Sequence, residues 1–331
     1  MSETNSSYPF ASAKITALES ALITKEKLNR IIESKDFDAA MRTLGEIGYA
    51  QPIMTGATFE QMIDKELALT DALLKEISPN DTFIMIMRAA HDYHNLKVLI
   101  KMLMQDKNLE EAELSPGNLA VDTLRRAITD NNYYDLPPHM TDAMFFIDKR
   151  FAVALDASII GVAMDRAYAK EVKELMAQMD DELVTKYFNA YFDLSNIIAF
   201  MRIRVSGHTK ESFEDAFLHG GTIGKRTFSD AFELADESVM GEIAKGDYTA
   251  VLSPAFDEYQ KTGRLYMMEK AKDDYLLSVL AAKRHDMFGV GPIMCYYTAK
   301  QREAAAIRMV MTAKLGGIDS EVVTKRVKEL L

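Results

Sequence analysis

One cysteine in 331 residues, Cys295, leaves no partner for an intramolecular disulfide and no set of thiolates for a zinc site. Its neighbours Pro292, Ile293, Met294 and Tyr296 are mostly apolar, so the thiol reads as buried and inert rather than nucleophilic. Prolines number only eight, and no Asn-Gly or Asp-Gly pair offers a tight hairpin turn. Sustained apolar/polar alternation is also missing, so little in the chain reads as strand. Basic charge is in deficit, with 39 Lys and Arg against 50 Asp and Glu and a formal charge of −11. That balance argues against non-specific nucleic-acid binding, which needs cations to neutralise phosphates, although basic residues can still cluster locally. Long apolar runs are absent too. The most membrane-like stretch, Phe151 to Met164, is interrupted by Asp156 and flanked by Asp148, Lys149, Arg150, Asp165 and Arg166. A span needs about 20 apolar residues. The first seven residues are polar, lack the basic start and apolar core of a signal peptide, and are expected to be frayed. A reducing, cytoplasmic setting is the expectation, with any membrane contact made through another protein.

What remains is helix. Apolar residues at 48% and charged residues at 27% exclude wholesale disorder and allow a sizeable core. Phe59, Met62, Ile63, Leu67, Leu73, Leu74 and Ile77 form a stripe that steps mainly by three or four. Thr58 followed by Gln61 reads as a capping box at its start. Ser78-Pro79 with Asp81, and Ser253-Pro254 with Asp257, pair a capping serine with a proline in the first turn and predict two further helix starts. From Ala143 to Met179 there is no proline and one glycine, Gly161, so a continuous helix there would run ~55 Å. A similar segment runs from Ala255 to Met287, broken only by Gly263. Helices of this kind must bury a face against partners, which predicts helical bundles.

The chain also repeats itself. Isoleucine followed five residues later by an aromatic occurs as Ile32/Phe37, Ile128/Tyr133 and Ile243/Tyr248. A second marker is an acid followed at three and four residues by Asn and an aliphatic: Asp92 with Asn95-Leu96, and Asp193 with Asn196-Ile197. Glu303 with Ala306-Ile307 is a degenerate third copy that loses the asparagine. The markers keep step, with 55 residues from Phe37 to Asp92, 60 from Tyr133 to Asp193 and 55 from Tyr248 to Glu303. A period near one third of the chain predicts an all-α fold of three homologous helical-bundle domains, with repeats over 1–112, 113–212 and 213–331 in a pseudo-threefold arrangement.

Candidate chemistry is sparse. The segment His219 to Thr227 is glycine-rich, but Gly220 and Gly224 enclose three residues where a P-loop needs four. Arg226 stands at its hydroxyl position, and the preceding Glu211–Leu218 reads as helix rather than strand. It is expected to be a helix connection. His91 and His94 share a face at i, i+3 with no further histidine or cysteine near in sequence, so surface or interface roles are expected. Asp180-Asp181 and Asp273-Asp274 lack the third aspartate of a diphosphate-binding cluster and read as solvated helix surface. The 21 methionines, dispersed along the helices, read as core filler. No catalytic, cofactor or metal site is predicted. An unrelated helical scaffold or adaptor is the alternative on these grounds.

Several of these same segments carry a family resemblance. Ala13 to Thr24 and Leu28 to Tyr49 resemble the opening helices of the C subunit of the V-type and A-type rotary ATPases, whose eukaryotic counterpart is the d subunit. His91-Asp92-Tyr93-His94-Asn95-Leu96-Lys97 resembles that family's Tyr-Asp-Tyr-His-Asn-Leu-Lys signature, and Tyr191 to Ile198 its second version. Gly291-Pro292-Ile293-Met294-Cys295-Tyr296-Tyr297, with Lys300 to Glu303 and Ile307-Arg308, resembles the third; Gln301 and Ala306 depart from the family's usual Glu and Asn. The resemblance implies three helical domains arranged as a funnel, a non-catalytic rotor socket between the D and F shaft subunits and the membrane proteolipid ring, and a place at the membrane held through the complex. Basic residues after the repeated signature, Lys97, Lys101, Arg202, Arg204 and Arg308, are expected to supply partner contacts, the alternative being pairing with acids between repeats.

Overall fold

The computed structural model describes residues 7–49, 58–328 and 330–331, the side chain of residue 237 excepted. The expected fraying therefore lies outside the described residues for positions 1–6, while Ser7 caps the first helix by accepting the Phe10 N–H. Among the described residues the chain is all-α, without a strand. In order the helices are α1 (Tyr8–Leu18), α2 (Lys25–Ile32), α3 (Phe37–Glu46), α4 (Phe59–Ile77), α5 (Thr82–Met104), α6 (Val121–Thr129), α7 (Pro138–Phe151), α8 (Ser158–Met179), α9 (Glu182–Val205), α10 (Lys210–Ala216), α11 (Lys225–Ala231), α12 (Asp236–Ile243), α13 (Asp247–Thr262), α14 (Tyr266–Ala281), α15 (Gly291–Leu315) and α16 (Ser320–Arg326). No helix among the described residues is long and apolar enough to cross a membrane.

Local chemistry sets most of the boundaries. Thr24, Asp36, Asp181 and Thr209 cap α2, α3, α9 and α10 through side-chain oxygens that accept backbone N–H groups. The capping box at Thr58 is present, with Gln61 bonded back to the Thr58 N–H. Two proline-based expectations fail. Ser78 ends α4 rather than starting a helix: its backbone is extended, its hydroxyl bonds the Asn80 carbonyl, and α5 begins only at Thr82. Ser253-Pro254 lies inside α13, which starts after Gly246 in a positive-φ conformation. There Ser253 Oγ donates to the Thr249 carbonyl at 2.6 Å, a back-bond that mid-helix serines make. Nor is Ala143–Met179 one helix. The chain breaks over residues 152–157, where Asp156 accepts the Ser158 N–H and hydroxyl at 2.9 and 2.7 Å and so starts α8 afresh. Gly263, at φ +68°, ends α13.

The described chain packs as two compact units, residues 1–81 with 269–331, and residues 82–268. In the first, α15 is the axis and α1, α2, α3, α4 and α16 pack on it. Ile31, Leu44, Ile63, Ile307 and Met311, all at 0% exposure, form part of this core; truncating one such side chain to alanine costs ~2–5 kcal/mol. In the second, α8 packs against α5, α7 and α9, and α6 docks on α5. An aromatic cluster of Phe200, Phe213, Phe228 and Phe232 joins α9 to α10 and α11, with ring centroids 5.1–5.6 Å apart.

Candidate functional site

The repeated acid and asparagine are loop clamps. On α5, Asp92 and Asn95 are 2% and 1% exposed. Asp92 Oδ2 accepts the Asn118 N–H at 2.8 Å and Oδ1 the Leu119 N–H at 3.2 Å. Asn95 makes a two-point contact with Ser115, accepting its N–H at 3.1 Å and donating to its carbonyl at 2.8 Å. One turn earlier, Arg88 donates to the Gly117 carbonyl and His91 Nδ1 lies 2.8 Å from the Pro116 carbonyl. Positions 88, 91, 92 and 95 share a helix face, so a single stripe of α5 reads out the loop 115–119. Gly117 is required there: a Cβ would lie 1.8 Å from Asp92 Oδ1.

On α9 the same arrangement recurs. Asp193, fully buried, accepts the Thr222 N–H and hydroxyl at 3.0 and 2.7 Å, the Ile223 N–H at 2.8 Å and the Tyr248 hydroxyl at 3.2 Å. Asn196 bonds both the N–H and the carbonyl of Leu218 at 2.9 Å. A Cβ on Gly221 would meet Asp193 Oδ1 at 2.0 Å. The glycine-rich segment thus spends its N–H groups on a carboxylate of its own chain, and the Tyr248 contact brings an aromatic marker of the repeat onto the acid.

The third acid of the sequence pattern grips by other means. Glu303 of α15, 2% exposed, accepts the Ile23 N–H at 2.5 Å across 280 residues. Its second oxygen takes Lys300 Nζ at 2.7 Å, and Lys300 also reaches Glu66 at 2.6 Å. Ala306, at the asparagine position, is buried. In all three cases the gripped N–H stands two residues before a helix: Ile23 before Lys25, Leu119 before Val121, Ile223 before Lys225.

Burial dominates the electrostatics of Asp92 and Glu303. It pushes Asp92 up to about 6, against the pull of the Asn118 and Leu119 N–H bonds. Burial also raises Glu303, opposed chiefly by Lys300. For Lys300 burial acts downward, but Glu303 and Glu66 together outweigh it and hold the ammonium above its ordinary value.

The five predicted contact cations fall into two groups. Lys97 pairs with Asp165 of α8 at 2.7 Å, and Arg308, in the same register relative to its acid, chelates Glu60 of α4 at 2.9–3.1 Å. Arg204 donates to the Ala231 and Leu234 carbonyls and to Asp236 at 2.7–3.3 Å, over the Phe200 ring. Lys101 and Arg202 are exposed, and Arg202 lines a cleft walled by α7, α8, α9 and α10.

Other sequence candidates also find places. Asp273 and Asp274 are not solvated surface: Asp273 pairs with Lys328 at 2.5 Å, and Asp274 with Lys270 at 2.5 Å and Arg302 at 3.2 Å. Asp181 caps α9 through the Leu183 and Val184 N–H groups. His94 is exposed on α5, and its imidazole is held below its ordinary range, first by desolvation and then by Lys97, His91 and Lys101. Burial pushes the Cys295 thiol up to about 11. No group of three or more metal-ligating side chains assembles among the described residues. Sequence reasoning missed the gripped loops. Their available signal was an aliphatic two residues before each helix start, with a glycine two residues further back in the two loops held by aspartate.

The family model described as ATP synthase (C/AC39) subunit matches residues 11–326. The chain is similar to the C subunit of the V-type sodium ATPase of Enterococcus hirae, 24% identical with 96% of each chain covered. It is similar also to the C subunit of the A-type ATP synthase of Haloferax volcanii, 24% identical over 98% of each chain. The corresponding protein of Methanocaldococcus jannaschii is 23% identical, covering 95% of this chain and 84% of the relative.

Proposed function

The chain belongs to the ATP synthase (C/AC39) subunit family, and from that premise we propose that it is the central-stalk rotor subunit of a V-type/A-type ATPase, coupling the D/F shaft to the membrane proteolipid ring. The observation that carries this reading is the end-to-end similarity to relatives named as C subunits of such enzymes. As a non-catalytic member of the complex, it transmits torque for ATP-linked ion transport and is held at the cytoplasmic face of the membrane by its partners.

The clamps suit that task. A torque coupler must resist local opening, and buried carboxylates that grip backbone N–H groups fasten connections that would otherwise be the most deformable parts of a helical body. Recurrence of the grip two residues before a helix, on three helices, supports the reading of a triplicated unit in which each signature helix fastens the start of the following copy and the last fastens the first. Among the five cations, Lys101 and Arg202 stand exposed and are the partner contacts of choice.

Purification of a tagged copy from native membranes in mild detergent tests the role. Recovery with the proteolipid ring and shaft subunits, lost from ring-deficient membranes, is expected. Recovery with unrelated partners would replace the rotor by an adaptor. Charge reversal at Lys101 and Arg202 is expected to weaken that recovery; full recovery would remove these two from the contact set.

A further inference from the structure

The second compact unit carries a basic groove. Between α7 and α8 lies a cleft of about 260 Å³, and between α7, α8, the end of α9 and α10 a larger one of about 620 Å³. They share Phe146, Val162 and Arg166 and so form one continuous depression. Its walls carry Arg150, Arg166, Lys170 and Arg202, all exposed, and Lys173 follows on α8 with the i, i+4, i+7 spacing of one helix face. Three acids also line it. Asp156 is committed to the Ser158 N–H and hydroxyl, and Asp215 contributes its carbonyl to Arg166 at 3.5 Å, while Asp142 completes the set. Among the described residues Arg150, Arg166, Lys170 and Lys173 make no ion pair, in a chain where acids outnumber bases by 50 to 39 and cations elsewhere, such as Lys97, Arg204, Lys300 and Arg308, are paired. The excess positive field extends to His219, whose imidazole is held down first by burial and then by Lys225, Arg166, Lys173 and Lys170.

The floor is apolar. Phe146 is 45% exposed at the junction of the two clefts, with Val162, Ala163 and Ala167 beside it. We propose that this groove receives an acidic amphipathic helix of another polypeptide, its apolar face on Phe146 and Val162 and its carboxylates on Arg150, Arg166, Lys170 and Arg202. Shape and chemistry favour that occupant over two others. A free phosphate would satisfy the cations and leave the apolar floor in water. A bilayer surface would call for a convex basic face rather than a depression. From Ser158 to Lys170 the α8 wall is ~18 Å long at 1.5 Å per residue, room for about three turns of a docked helix. The proposal does not depend on the rotor reading: the partner is defined by its acidic stripe alone.

The test places the photo-crosslinker p-benzoylphenylalanine at position 146 of the full chain in its native cells, and maps the adduct by mass spectrometry. The expected product joins position 146 to one segment of another protein whose acids recur at i, i+3 or i+4. Its yield should fall at least tenfold in an R166E/K170E/K173E background and, when irradiation follows lysis instead, fall as salt is raised from 0.15 to 0.6 M. Should that triple variant lose its helical circular dichroism, R150E/R202E at the other end of the groove replaces it. A lipid adduct, no adduct, a segment without acidic periodicity, or a yield indifferent to charge reversal would each overturn the proposal. Charge-dependent co-sedimentation of the pure chain with phosphatidylcholine/phosphatidylglycerol vesicles would do the same in favour of a membrane.

Discussion

Introducing a methyl group at Gly117 tests whether the repeated acid is a clamp. In Gly117→Ala the new Cβ would lie 1.8 Å from Asp92 Oδ1, 2.5 Å from Cγ and 2.9 Å from Oδ2, so Asp92 must swing out or the loop must move by more than 1 Å. Either way the Asn118 and Leu119 N–H bonds are given up, and hydrogen bonds to a charged acceptor contribute ~1.5–3 kcal/mol each. Relief from burying the carboxylate offsets part of that loss. The rise of the Asp92 pKa from 3.8 to about 6 means the ionised form is disfavoured by ~3 kcal/mol at ~1.4 kcal/mol per pH unit. Gly117→Ala is therefore expected to cost ~3 kcal/mol at pH 7, and Asp92→Ala ~1–3 kcal/mol. In the double variant the methyl occupies space the carboxylate has left, since the three nearest contacts all belong to the Asp92 side chain. The two effects should then fall short of additivity by ~2 kcal/mol. Because the chain packs as two units, amide exchange at Asn118 and Leu119 reads this locally, with urea unfolding followed by circular dichroism as the global measure. Additivity within ~0.5 kcal/mol would refute the clamp.

The same acid predicts a pH dependence. With its folded pKa above the unfolded value, the folded state holds the proton more tightly between about pH 4 and about pH 6, so Asp92 makes local stability fall as pH rises through that window. Exchange protection at Asn118 should drop by up to ~3 kcal/mol across it in the native sequence and show no such step in Asp92→Ala; a rise would contradict the sign. Lys300→Met leaves the buried Glu303 and the partly buried Glu66 without their cation and should destabilise by ~3–5 kcal/mol in thermal unfolding, partly restored by Glu303→Gln. Arg308→Ala breaks a largely exposed pair and should cost less than about 1 kcal/mol. Arg204→Ala strips two carbonyls and Asp236 of a largely buried donor and should cost ~2–4 kcal/mol by the same measurement. Equal losses for the two arginines would show that burial does not set their contributions.

Much of the molecule is local information, and that part is legible in the sequence. Helical periodicity places Met62, Ile63, Leu74 and Ile77 on the buried face of α4, because a period of 3.6 puts them on one side whatever they pack against. The capping box at Thr58 and the break at Gly263 follow from bonds and dihedrals spanning three or four residues. The spacing of the acid–asparagine pairs, and with it the family, was equally open to inspection. What each pair does was not. The partners of Asp92 and Asp193 lie 26–30 residues away and that of Glu303 lies 280 away, and a backbone N–H gripped at that separation leaves no periodicity to read. Tertiary packing also overruled local signals. It carried α13 through Pro254 and turned Asp273 and Asp274 from apparent surface into ion-pair partners of Lys328, Lys270 and Arg302. Propensity is worth tenths of a kcal/mol to about 3 kcal/mol per residue, whereas burial and buried ion pairs act through many groups at once, so the fold decides wherever the two disagree.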